Sequence, residues 1–164
     1  MSTNKPDIQV RLAVPEEAPA IASVLAAAFA EYEPAYTPQA FGATTPTSEQ
    51  ILHRFQEGPV WVALHEDSIV GTVAVVPRGE RLYVRSMGVL PAARGKDIGG
   101  LLLRQVESFA TNQGYKSLFL STTPFLDAAI ALYQHFGFTR TGEGPHDLFG
   151  TPLFTMQKDL AAAD

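Results

Sequence analysis

Apolar and polar positions alternate through Ile8, Val10 and Leu12, a period of two that predicts a first strand. Pro15, followed by Glu16 and Glu17, is a helix-opening signal, and Ile21, Val24, Leu25, Ala28 and Phe29 then recur on one helical face. From Tyr32 to Thr47 the periodicity stops, and the prolines, glycine and threonines of YEPAYTPQAFGATTPT predict an irregular segment with room for a short helical turn. A second helix is expected over Glu49–Gln56, with Ile51, Leu52 and Phe55 as its buried side and Gly58-Pro59 as its stop.

The period then switches to that of strands. Val60–Leu64 and Ile69–Val76, separated by His65, Glu66, Asp67 and Ser68, read as an antiparallel hairpin, and Pro77–Glu80 turns the chain into a strand over Arg81–Val89. Ile98, Leu101, Leu102, Gln105 and Phe109 return to helical spacing up to Asn112, where Gly114 closes the helix. Tyr115–Ser121 is the next buried strand. Phe125, Ala129, Leu132, Tyr133 and Phe136 mark a last amphipathic helix ended by Gly137, with strands at Phe138–Gly142 and Leu153–Lys158. The sum is an α+β chain built on a mixed, mostly antiparallel sheet of about seven strands flanked by about four helices. No internal repeat or linker divides it, so residues 8–160 are expected to form one domain between a flexible N-terminus, 1–7, and a C-terminal tail, 161–164.

Composition narrows the chemistry. With 164 residues and 46% apolar content the chain suits a single ordinary core. Its formal charge of −5 argues against a nucleic-acid partner or an anionic membrane surface, which need clustered Lys and Arg, and favours a cationic substrate. No membrane-spanning run or signal peptide is visible, which leads to a cytoplasmic expectation. The absence of cysteine removes disulfides, thiolate zinc sites and a sulfur nucleophile together, and His53, His65, His135 and His146 lack metal-ligand spacing, so no metal is expected.

The richest stretch is Leu82–Phe109, where a buried strand, a Pro-marked break and the loop AARGKDIGG lead into an amphipathic helix. That order presents unpaired backbone N–H groups and the positive end of a helix dipole to an anion, with Arg94 and Lys96 adding charge. By itself the loop reads equally well as a phosphate cradle or as a tight strand-to-helix connection with solvated basic residues.

The loop Arg94-Gly95-Lys96-Asp97-Ile98-Gly99 resembles the acetyl-coenzyme A motif Gln/Arg-x-x-Gly-x-Gly/Ala of the GNAT superfamily of N-acetyltransferases, and Met87-Gly88-Val89-Leu90-Pro91 is similar to the strand exit that precedes it. Ala129-Ile130-Ala131-Leu132-Tyr133-Gln134-His135-Phe136-Gly137-Phe138 is similar to the family's A-x-x-L-Y-x-x-x-G-F. The element order resembles that fold from Ile8 to Lys158. Two departures stand out: Asp97 replaces the usual glycine, and Leu126 stands where an asparagine often touches the cofactor arm.

The resemblance implies direct transfer of an acetyl group from acetyl-CoA to a primary amine in a ternary complex, with no covalent enzyme intermediate. By likeness, Met87, Gly88 and Val89 hold the thioester and pantetheine, while Arg94, Gly95, Lys96, Asp97, Ile98, Gly99 and Gly100 hold the pyrophosphate. Tyr133 takes the role of general acid toward the departing thiolate, against the plain alternative of a core aromatic in the stripe of Leu132 and Phe136. Tyr32, Tyr36 and Arg85 are candidates for the acceptor site, Arg85 because a guanidinium in an apolar strand needs a partner, either a substrate carboxylate or a structural acid. The general base is unassigned among Glu31, Glu33, Tyr36 and Glu80.

A small-molecule amine is the leading acceptor. A protein N-terminus or lysine, or a non-catalytic CoA-binding protein, are the alternatives, and the family often forms a homodimer. The turn-rich stretch Glu143–Pro152, with His146, Asp147 and Phe149, reads either as a cover over the acceptor site or as a plain hairpin tip. A cover would disfavour a peptide acceptor, which needs an open groove.

Overall fold

A computed structural model describes residues 7–160. The predicted flexible ends, 1–7 and 161–164, lie outside the described residues except for Asp7, which belongs to no helix or strand. The elements in chain order are β1 (Ile8–Leu12), α1 (Ala18–Phe29), α2 (Pro38–Thr44), α3 (Ser48–Arg54), β2 (Val60–His65), β3 (Ser68–Arg78), β4 (Arg81–Val89), α4 (Ile98–Asn112), β5 (Ser117–Thr122), α5 (Asp127–His135), β6 (Thr139–Arg140), β7 (His146–Leu148) and β8 (Thr151–Asp159). Short 3-10 turns occupy Pro15–Glu17, Ala30–Ala35 and Pro91–Ala93.

The strands form one sheet in the order β1-β2-β3-β4-β5-β8-β6, with β7 paired to the start of β8. Every pairing is antiparallel except β4 with β5, which needs the crossover that α4 supplies. The mixed, mostly antiparallel α+β architecture is as expected, with eight strands and five α-helices among the described residues instead of about seven and about four. The additional elements are local. Thr37 caps α2 by accepting from the Ala40 amide at 3.2 Å, giving a helix to a segment that reads as irregular, and β7 is a three-residue strand inside the turn-rich stretch.

Both faces of the sheet are covered, which is why β2 and β3 read as nearly continuous apolar runs. On β2, Val60, Val62 and Leu64 face α1 and α3 with Ile21, Leu25 and Ile51, whereas Trp61 and Ala63 face α4 with Leu102, Leu103 and Val106. α3 opens on a capping box in which Thr47 and Gln50 satisfy each other's amides, and it ends at Arg54, two residues before the expected stop. Leu52, expected inside, is exposed; Ile51 alone is fully buried on this short helix.

Candidate active site

β4 and β5 lie side by side only where Arg81–Tyr83 face Ser117–Phe119. Beyond Tyr83 they separate, so the β5-facing backbone of β4 has no strand partner although it lies mid-sheet, and the gap opens at the carboxyl ends of two parallel strands. Open sheets accept ligands at such places.

A bulge shapes the same strand. The β3–β4 register steps from Thr72↔Gly88 to Ala74↔Arg85, so two β4 residues, Ser86 and Met87, stand against Val73, and Ser86 adopts a φ of 53°. A left-handed conformation costs a non-glycine residue about 1 kcal/mol, and a bulge bends its strand and re-aims its side chains. Gly88 follows because α1 crosses here at close range: a Cβ at Gly88 would lie 3.0 Å from Leu25 Cδ2 and 3.1 Å from Ala28 Cβ.

Two cavities flank the gap, of ≈ 260 and ≈ 280 Å³. Phe29, Met87, Leu126 and Tyr133 line both and are the boundary the two cavities share.

The larger cavity is a groove between the end of β4, the α4 entry loop and α5. Met87, Gly88, Val89, Arg94, Gly95, Asp97, Ile98, Gly99 and Gly100 all line it; Lys96 does not. Gly95 turns with a φ of 87°, and Asp97 enters α4 with a φ of 58°. Asp97 makes no capping bond to the helix amides; its carboxylate lies against Gly100, where an added Cβ would fall 2.3 Å from Oδ1, and it accepts from Arg104 Nη1 at 3.1 Å. Arg94 is already engaged, donating to Glu31 and, at 3.1 Å, to the Ala28 carbonyl at the end of α1. Tyr32 lines this groove and not the other cavity, which separates it from Tyr36 and Arg85.

The second cavity holds Tyr36 and Arg85 together with Arg54, Thr44, Tyr83, Ser86, Thr122, Thr123, Leu148 and Tyr133. Arg85 Nη2 donates to Glu57 Oε1 at 2.7 Å, and that hydrogen bond holds the Glu57 carboxyl below its ordinary range. Arg85 Nε is buried with no acceptor. Arg54 donates to Ser86 Oγ, and burial, then the nearby Arg85, holds its guanidinium below the usual value. Burial raises the Tyr36 phenol, offset in part by the neighbouring hydroxyls of Thr123 and Thr44; Thr123 Oγ1 still has no partner of hydrogen-bond geometry.

Tyr133 is buried at the boundary of the two cavities, and its phenol is pushed up to about 12 by burial and then by Tyr36. It therefore stays protonated as a donor at neutral pH.

Of the candidate bases Tyr36 lines this cavity, and the three carboxylates do not. Glu31 pairs with Arg94 and Glu80 with Lys116, and neither they nor Glu33 line the acceptor side. The turn-rich stretch does reach it: Leu148 and Leu153 line the cavity, while His146, Asp147 and Phe149 stay exposed. Thr37 holds that hairpin down, its Oγ1 donating to the Phe149 carbonyl at 2.7 Å and its amide to Thr151 Oγ1 at 3.1 Å. Arg54, Thr123 and Leu148 were not singled out by sequence. Arg54 lies one helical turn beyond the buried Ile51, and Thr123 follows directly on the open end of β5, so both positions carried a faint signal.

Known proteins share this architecture. Residues 23–138 match the family described as Acetyltransferase (GNAT) family. The uncharacterized N-acetyltransferase YjgM of Escherichia coli K12 is 30% identical over 129 residues, covering 75% of this chain and 77% of that protein. Human N-acetyltransferase 8B is 38% identical over 89 residues, which are 51% of this chain but only 39% of the relative. Among solved structures, PaiA N-acetyltransferase of Thermoplasma acidophilum in complex with coenzyme A superposes with a TM-score of 0.79 at 16% identity, over 94% of this chain and 99% of that one. The family match and the likeness to YjgM over three quarters of both chains agree with the split sheet and its paired cavities: the chain belongs to the GNAT family of acetyltransferases.

Proposed function

We propose that the chain transfers the acetyl group of acetyl-CoA directly to the primary amine of a small molecule, with the co-substrate in the groove beside α4 and the amine in the cavity beneath the β7–β8 hairpin. The boundary shared by the two cavities supports this reading, since a thioester in one and an amine in the other would meet beside Tyr133. The unpaired edge of β4 offers backbone partners to an extended pantetheine arm, as an exposed sheet edge does to an added strand.

Acetyl-CoA supplies the activated acyl group. The neutral amine nitrogen attacks the thioester carbon, the C–S bond breaks, the nitrogen gives up a proton and the thiolate gains one. Tyr133 holds the proton for the thiolate; its raised pKa matches that role because the burial that raises the phenol would raise the proton affinity of a thiolate beside it as well. Among the described residues no Asp, Glu or His lines the acceptor cavity, and burial keeps the Tyr36 phenol protonated, so the amine's proton leaves through water. The two guanidiniums favour the neutral, attacking form of the amine.

The hairpin favours a small acceptor over a peptide, because Leu148 and the Thr37 bonds cover the cavity that a polypeptide would have to cross. No described helix is long and apolar enough to cross a membrane, and a cytoplasmic location belongs to this same reading. Calorimetry with acetyl-CoA and thiol release across an amine panel test it. Cofactor binding with amine-dependent thiol release is expected; no binding would end it, and binding without release toward any amine would favour a non-catalytic CoA-binding protein.

A further inference from the structure

We infer that the acceptor amine carries a carboxylate, bound by Arg54 and Arg85 in the acceptor cavity, so that the substrate class is free amino acids and related amino carboxylates. This deepens the acetyltransferase reading above and rests on it.

The cavity's charge is opposite to that of the chain. The protein carries a formal −5, yet among the described residues the cavity is lined by two guanidiniums and by no Asp, Glu, His or Lys. A pocket for a polyamine or another simple cation would show the reverse.

A structural ion pair accounts for only part of the arrangement. Glu57 takes Arg85 Nη2 from the solvent side, its side chain 45% exposed against 19% for Arg85. That leaves Arg85 Nε buried without an acceptor and Arg54 with no ion-pair partner among the described residues. Two arginines held close in a half-buried place repel each other, and with a single glutamate between them one positive charge stays unbalanced. Half-buried charges are ordinarily balanced, and an excess positive charge at the wall of a cavity asks for an anion that balances it. A planar, singly charged carboxylate does so, because the guanidinium fork matches its two oxygens and its charge cancels the excess.

The placement suits an amino acid. Ser86, which receives the Arg54 hydrogen bond, sits in the β4 bulge immediately before Met87, one of the four residues that line both cavities. The anion subsite and the reacting end are thus neighbours along one strand. At ≈ 260 Å³ and covered by the hairpin, the space limits the substrate to a small molecule.

The test is kcat/KM for matched sets of free L-amino acids, their carboxamides and their decarboxylated amines, with acetyl-CoA affinity measured in parallel. For at least one set the carboxylate is expected to exceed both counterparts by about 10- to 100-fold, the range for hydrogen bonds to charged groups. Arg85→Gln and Arg54→Gln are expected to collapse that ratio toward one while circular dichroism and acetyl-CoA binding confirm a folded protein. Arg85→Lys, which keeps the charge and loses the fork, should fall between. Should the glutamine variants not fold, the wild-type panel decides alone. Acetylation of amines with no preference for the carboxylate overturns this inference and leaves the acetyltransferase reading standing; no acetyl-CoA binding removes both.

Discussion

Single side chains set the reaction's two ends. Tyr133 belongs to the A-x-x-L-Y run, where its place in the stripe of Leu132 and Phe136 is equally that of a core aromatic; it lines both cavities, and the proposed function gives its hydroxyl the task of general acid. Tyr133→Phe removes the donor and keeps the ring, so kcat is expected to fall by about 100-fold or more with acetyl-CoA affinity unchanged, as read by steady-state kinetics and calorimetry. With the phenol at about 12, no fall in rate from its ionisation is expected up to about pH 10. Asp97 is the reverse case, visible in the sequence as a misfit. Its left-handed backbone and exposed carboxylate both suit glycine better, and Arg104 offsets the charge only from the surface. Asp97→Gly is therefore expected to tighten acetyl-CoA binding several-fold, and a weaker Kd by calorimetry would assign the carboxylate a positive role. Arg85 was legible as an oddity in an apolar strand, whereas Arg54 was not, because only the bulge at Ser86 brings the end of α3 to β4.

At the scale of elements, the groove depends on β4 and the cover on α2. The helices and hairpins with clean periodicity, α1, α4 and β2–β3, lie close to their sequence expectations because each buries one continuous face. The segment Tyr32–Thr47 gave no such face. Its helix α2 is held by the Thr37 cap and by bonds to the hairpin more than a hundred residues later, partners that no local pattern reveals. Thr37→Val keeps the shape and removes the two hydroxyl bonds, to the Phe149 carbonyl and from the Ala40 amide. Together they are worth about 1–2 kcal/mol, so KM for the amine is expected to rise roughly tenfold while acetyl-CoA affinity stays within about twofold. An unchanged KM would mean that the hairpin does not shape the acceptor cavity.

Across the whole molecule, surface acids are held by arginines and tie stability to pH. The hydrogen bond from Arg11 is the largest cause holding Glu17 below its ordinary 4.5, and Arg85 does the same for Glu57. Both carboxylates are more acidic folded than unfolded, so their contribution is complete above the unfolded value and is lost as pH falls through the folded one. The melting temperature is expected to be level above about pH 5 and to drop below about pH 4.5, and Glu17→Gln should shrink that drop. The overall charge illustrates what a sum conceals. A formal −5 suggested a cationic substrate, yet the cavity that would receive it is positive, because net charge reports the average surface and not the lining of one pocket. The sequence by itself determined the alternation of strands and helices, the glycine loop ahead of α4 and the A-x-x-L-Y helix, since each rests on neighbours within a few turns of chain. Only the tertiary structure decided where β4 and β5 part, which cavity each aromatic lines, and that Arg54 and Arg85 stand together, because those facts depend on residues that meet across the sheet and not along the chain.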